Sequence, residues 1–177
     1  AGIIGAGLQA KLQLEALKLV RPISTVFIWS RDREKLINFE KEIQYLGLDI
    51  KKCSSIEELV KLSEIVVTTT PSKSPLIKSD WLKKGLHITA MGSDAEEKNE
   101  IDPDIIKKCD TYIPDSQPQT AVLGELHHAI KANIISVNEN FNEIGEVILN
   151  PALGRKNKED ITLCDLTGTG VQDTAIA

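Results

Sequence analysis

The chain has 177 residues, 26 acidic against 21 basic side chains and a formal charge of -5 at pH 7. Hydrophobic residues make up 41% and charged residues 27%, which suits one globular domain with a real core and excludes a disordered chain. The mild acidity speaks against nucleic-acid and anionic-membrane partners, and no apolar run reaches the roughly 18 residues of a membrane helix. No basic-then-apolar leader opens the chain, so the expected location is cytoplasmic.

In chain order, residues 2–4 read as a strand and residues 8–20 as a helix carrying Leu8, Leu12, Ala16 and Leu19 at helical spacing. Arg21-Pro22 stops that helix, and the β-branched and aromatic run 25–29 is a second strand. Residues 31–46 are expected to form a helix closed by Gly47, followed by a short strand over 48–52. Ser54-Ser55-Ile56-Glu57-Glu58 offers a capping box before a helix to about Leu62. Strands are expected over 64–70 and 86–91, and Asp102-Pro103 opens a short helix to Lys108. A strand over 111–113, helices over 119–130 and 141–149, and a strand over 161–166 complete the pattern. Alternation of this kind, with near-continuous apolar strands, means an α/β fold: a doubly wound parallel sheet covered on both faces, in one Rossmann-type domain over residues 1–177.

Both ends look cut. Ala1 begins inside an apolar strand, and Thr174-Ala175-Ile176-Ala177 resembles the first turn of a helix. The expectation is an internal segment of a longer protein. Cys53, Cys109 and Cys164 are widely spaced and odd in number, which supports neither a disulfide framework nor a zinc knuckle. His87 reads as a core or edge residue. Adjacent His127 and His128 point about 100° apart on a helix and cannot chelate one ion, so no structural metal is expected.

Gly5-Ala6-Gly7-Leu8-Gln9-Ala10 lies between the first strand and the first helix. In the G-x-G-x-x-G/A pattern the first glycine makes a tight turn and the second lets backbone approach a pyrophosphate. The last small residue lets helix and strand pack closely, and the phosphates sit at the positive end of the helix dipole. A strand before, a helix after and a second strand at the right distance give this pattern its required context.

NAD-binding domains typically carry an acid at the end of the second strand, to bind the ribose 2′-hydroxyl. Here that position is Ser30, followed by Arg31, and a hydroxyl beside a guanidinium suits a 2′-phosphate. NADP(H) is therefore favoured over NAD(H), although a slightly longer turn would bring Asp32 to the ribose. At the end of the fourth strand Thr68-Thr69-Thr70-Pro71-Ser72 is placed to line the nicotinamide side of the crevice. Met91-Gly92-Ser93-Asp94 faces the same crevice from the next strand. Asp94 is the best placed ionisable residue for proton chemistry there; its other reading is a cap on a helical segment through residues 95–97. A later loop, Thr167-Gly168-Thr169-Gly170-Val171, brings backbone towards the same ligand or packs as a tight turn.

GIIGAGLQA, IVVTTTPSKSPLI, GLHITAMGSDAEEKNEID, PDSQPQT, GEL, EIGEV and LTGTGVQDTAIA occur here in that order. Together they resemble the ornithine cyclodeaminase/mu-crystallin family along nearly the whole chain. The resemblance implies the central dinucleotide domain of that family. It would be inserted in a substrate-binding and dimerisation domain built from other parts of the chain, with a homodimer in the intact protein. It implies cofactor contacts from Gly5, Gly7, Leu8 and Gln9 at the pyrophosphate and from Ser30 and Arg31 at the adenosine ribose. Thr69, Thr70, Met91 and Val171 would surround the nicotinamide half, and Asp94 would handle a proton or water at the reacting imine. Two positions depart from the family pattern: Glu97 stands for a common glycine, and Ser30 for an acid seen in cyclodeaminases. The implied chemistry is hydride transfer at the α-carbon of an amino or imino acid. A cyclodeaminase recycles the hydride while ornithine loses ammonia and becomes proline; an imino-acid reductase or alanine dehydrogenase stops after one transfer. A non-catalytic NADP(H)-binding crystallin is the third reading.

Overall fold

Nine strands form in a computed structural model that describes residues 1–170 and 174. They are β1 (Gly2–Ile4), β2 (Thr25–Trp29), β3 (Asp49–Lys52), β4 (Ile65–Thr68), β5 (Lys73–Ile77), β6 (His87–Ala90), β7 (Asn99–Ile101), β8 (Thr111–Pro114) and β9 (Thr162–Asp165). The helices are α1 (Leu8–Val20), α2 (Arg33–Ile43), α3 (Ile56–Leu62), α4 (Asp104–Lys108), α5 (Gln117–Thr120), α6 (Glu125–Lys131) and α7 (Ile144–Leu149). Seven strands form one wholly parallel sheet in the order β3-β2-β1-β4-β6-β9-β8. From β1 the chain first winds outward through β2 and β3, then crosses back to β4 on the other side. That reversal opens a crevice at the C-terminal ends of β1 and β4, where α/β sheets bind ligands.

Alternating side chains send the two strand faces into two cores. Ile3, Val26, Ile28 and Val67 pack with Ala10, Leu14, Leu36 and Phe39 of α1 and α2. Ile4, Val66, Ile88 and Leu163 pack on the opposite face with Leu59, Ile105 and Leu126 of α3, α4 and α6. The double winding is complete only over the β3–β4 half. Beyond β4, the face shared with α1 carries His87, Thr89, Thr111 and Cys164, all only half-buried.

Four local differences from the sequence reading have physical causes. Residues 31 and 32 lie outside α2 because Asp32 caps it: its Oδ1 accepts from Glu34 N at 3.0 Å and Lys35 N at 3.1 Å. The helix expected over 119–130 is broken, since Gly124 backs onto β9; a Cβ there would lie 2.9 Å from Asp165 Oδ2. The helix expected from residue 141 starts at Ile144, where Glu143 and Glu146 form a reciprocal capping box. Finally, β5 and β7 pair in a small parallel sheet of their own, which the sequence reading lacks. The expected turn of helix at 174–177 lies outside the described residues apart from Thr174.

Candidate functional site

The loop after β1 has the shape its glycines imply. Gly5 N donates to Trp29 O at 2.9 Å, and Gly5 has φ +121°, a conformation that L side chains rarely adopt. A Cβ at Gly5 would stand 2.5 Å from Thr69 Oγ1 and 3.0 Å from Thr69 O, so β1 and β4 meet there without room for a side chain. Gly7 caps α1, and a Cβ there would meet nothing within 4 Å. Among the described residues no side chain caps α1 and no acid occupies its first turn, so its first N–H groups, at the positive end of the dipole, have no side-chain acceptor. Ala10 is fully buried against the sheet, while Leu8 and Gln9 are exposed beside the loop. An uncapped helix start with a clear approach over Gly7 fits a pyrophosphate.

At the end of β2, Ser30 is half-buried and its Oγ accepts from Asp32 N at 3.3 Å. Asp32 is committed to capping α2. Arg31 is exposed, and among the described residues no carboxylate pairs with it.

The threonines after β4 are engaged within the protein. Thr68 Oγ1 donates to Glu100 Oε2 at 2.7 Å, and Thr70 donates to Glu100 Oε1 from both N (2.6 Å) and Oγ1 (2.7 Å). Thr69 Oγ1 donates to Ile4 O at 3.3 Å. These hydroxyls brace the crevice floor. After β6, Met91 is half-buried and Asp94 is exposed, paired with Lys98 one helical turn later in sequence. Residues 95–98 form a turn closed by Lys98 N donating to Ala95 O at 2.9 Å, so Asp94 caps no helix. His128 Nε2 lies 2.7 Å from Lys98 O and ties that turn to α6.

After β9, the Asp115 carboxylate accepts from Thr167 N (2.8 Å) and Gly168 N (2.9 Å). Gln119 Nε2 donates to Gly168 O at 2.6 Å, which makes the Thr167–Gly168 loop a braced turn. Val171 lies outside the described residues. The structure thus gathers Gly5, Gly7, Leu8, Gln9, Ser30, Arg31, Thr69, Thr70, Met91 and Asp94 along one edge, at the ends of the adjacent strands β2, β1, β4 and β6.

The sequence reading missed the acids beneath this edge. Glu100, Glu125 and Asp165 are all buried, and burial pushes each carboxyl above its ordinary range, Glu125 to about 7. Their signal in the sequence is faint: an acid beside a strand or helix start normally reads as a solvated residue.

A cyclodeaminase of Sinorhizobium fredii, itself uncharacterized, is 51% identical over 181 residues, covering 100% of this chain and 54% of the relative. The structure of an archaeal alanine dehydrogenase dimer with bound NAD superposes with a TM-score of 0.91 at 35% identity, covering 99% of this chain and 54% of that one. The iminosuccinate reductase of Paracoccus denitrificans in complex with NAD+ gives 0.90 at 32% identity, covering 99% and 53%. The chain spans about half the length of the curated relatives it matches. The model of the ornithine cyclodeaminase/mu-crystallin family matches residues 1–177, so the chain belongs to that family.

Proposed function

We propose that this chain is the nicotinamide-dinucleotide domain of an enzyme that transfers hydride at the α-carbon of an amino or imino acid, in the manner of an ornithine cyclodeaminase. The observation that carries the reading is the uncapped start of α1 behind Gly5 and Gly7, at the point where the sheet order reverses. Gly5, Gly7, Leu8 and Gln9 hold the pyrophosphate in this reading; Thr69, Thr70, Met91 and Val171 flank the nicotinamide half. When bound, the nicotinamide supplies or accepts the hydride. Asp94 moves the proton at the substrate nitrogen or at water, and its exposure at the end of β6 leaves it accessible from the crevice. Residues elsewhere in the intact protein complete the substrate site, and the intact protein is a homodimer in this reading, which the dimer of the archaeal alanine dehydrogenase supports.

Ser30 and Arg31 favour NADP(H): Arg31 is free of described ion pairs and Asp32 is spent on its helix cap. A second reading, NAD(H), is favoured by the two relatives solved with NAD. Parallel titration with NADPH and NADH decides between them. For the intact enzyme, ornithine supplied with NAD(P) separates the chemistries. A cyclodeaminase releases ammonia with no net change in nicotinamide absorbance, whereas a reductase or dehydrogenase changes it stoichiometrically. An intact protein that binds dinucleotide but moves hydride with neither ornithine, alanine nor cyclic imino acids is the non-catalytic crystallin instead. Asp94→Asn is expected to abolish turnover and spare dinucleotide binding; unchanged turnover removes Asp94 from the mechanism.

A further inference from the structure

Two buried carboxylates support the turn that carries Asp94. Glu100 is fully buried and Glu125 is 1% exposed, and among the described residues neither has a basic partner. Each is satisfied as an anion instead. Glu125 Oε1 accepts from Ser93 Oγ and from Glu100 N at 2.8 Å; its Oε2 accepts from Asn99 Nδ2 at 2.6 Å and Ile101 N at 3.4 Å. Glu100 Oε2 in turn accepts from Gly92 N at 2.6 Å. Gly92 is pressed onto that carboxylate: a Cβ there would stand 2.4 Å from Glu100 Oε2 and 2.2 Å from Thr70 O. Both residues of the turn before Asp94 are therefore held by this acid pair.

Two of the Glu125 partners, Glu100 N and Ile101 N, are backbone amides and cannot accept a hydrogen bond; the Ser93 hydroxyl can reverse its role, and the Asn99 amide can do so only by turning over and giving up its bond to Ile101 O. A proton added to Glu125 must displace a backbone amide, turn the Asn99 amide over or turn the Ser93 hydroxyl around.

We propose that Glu125 is a positioning residue: acting through Ser93 and the Glu100 amide, its ionised carboxylate holds the Gly92–Asp94 turn in the form that receives the nicotinamide end of the dinucleotide, and losing that charge releases the turn. The inference rests on the dinucleotide reading above. Burial raises the Glu125 carboxyl to about 7 against the lowering effect of its hydrogen bonds. The ionisable groups around it are Glu100 of β7, Asp165 of β9 and Tyr112 of β8. On α6 itself are His127, 3.9 Å from Glu96, and His128. Apparent affinity scales with the fraction in the competent form. With a midpoint near 7, that fraction falls from about nine-tenths to about one-tenth between about pH 8 and about pH 6, an approximately tenfold rise in Kd.

The test titrates the protein with NADH and with ADP-ribose, which lacks the nicotinamide, across that pH range. NADH is expected to weaken about tenfold on acidification while ADP-ribose stays within about twofold. Glu125→Gln should bind NADH at the weak, acid-side value throughout. Ser93→Ala, which removes the hydroxyl link and keeps the Glu100 amide, should show a shallower pH profile with a cooperative thermal transition. His127→Gln should keep the wild-type profile. A pH-independent NADH affinity in the wild type, an equal response for ADP-ribose, or an unaltered response in Ser93→Ala overturns the inference. Binding of neither ligand overturns the dinucleotide reading and this inference with it.

Discussion

Adding one methyl group at each of two neighbouring glycines separates the architecture of the first loop from its ligand role. At Gly5, with φ +121°, an alanine adopts a conformation that costs about 1–3 kcal/mol. Its Cβ also stands 2.5 Å from Thr69 Oγ1 and 3.0 Å from Thr69 O. The hydroxyl can swing away only by leaving Ile4 O, and the carbonyl is held in the β4 end, so overpacking adds about 1–3 kcal/mol. Gly5→Ala should therefore destabilise by about 3 kcal/mol, a fall in Tm of roughly 6–12 °C at this chain length. Gly7 has φ -108°, which any residue adopts, and its Cβ would meet nothing within 4 Å. Gly7→Ala should cost less than about 1 kcal/mol, the usual difference at a helix cap. Its methyl would project where the pyrophosphate approaches, so NADH affinity should fall at least about tenfold. Thermal unfolding by circular dichroism, with NADH titration well below both transitions, reads the two effects. The reasoning is refuted if Gly7→Ala loses as much stability as Gly5→Ala, or if it binds NADH as the wild type does.

Glu100→Ala strands Thr68 Oγ1, Thr70 N, Thr70 Oγ1 and Gly92 N without an acceptor and should destabilise by about 3–5 kcal/mol in urea unfolding; a loss below about 1 kcal/mol contradicts the bracing role. Arg31→Ala should weaken NADPH by about tenfold and NADH by less than about twofold, whereas equal effects on both remove Arg31 from the 2′-phosphate. Asp32→Ala should cost about 1 kcal/mol of stability and leave the NADPH-to-NADH preference unchanged; a shift towards NADPH puts Asp32 at the ribose. His87 is held to about 4 by burial and by the charges of Arg155 and Arg21, so the native state resists its protonation. Stability from this group is complete above about 6.5 and falls by up to about 3 kcal/mol as pH drops towards 4. Glu125, shifted upward, works in the opposite sense between about 7 and 4.5. Urea unfolding from pH 7 to pH 4 should therefore show a steeper acid loss in Glu125→Gln than in the wild type; a shallower one contradicts these assignments.

Elements whose residues obey one period throughout were legible from the sequence. β1, β2 and α1 have the expected bounds and the glycine loop falls at the sheet reversal, but α1 buries Ala10 and Leu14 against the sheet, while Leu8, Leu12 and Leu19 of the expected apolar stripe are exposed. The two strands that escaped notice lack that signature. β5 is Lys-Ser-Pro-Leu-Ile and mostly exposed, while β7 is Asn-Glu-Ile, buried through its hydrogen bonds to Glu125. The break between α5 and α6 comes from contact with β9, which is distant in sequence. The same distance hid the acids: Glu100 and Glu125 are recognisable as core residues only once Thr70, Gly92, Ser93 and Asn99 are seen donating to them. The threonines after β4 illustrate the reverse case. They were legible as crevice residues, but the bonds that engage their hydroxyls come from 30 or more positions away.

The central claim, that the β1–α1 loop of this chain receives a nicotinamide dinucleotide, is tested most directly by titrating the protein with NADPH and NADH in parallel at fixed low salt. The account predicts saturable binding of one dinucleotide per chain, tighter for NADPH, and weakened at least about tenfold in Gly7→Ala. Saturation by neither dinucleotide, or binding indifferent to Gly7→Ala, would contradict it.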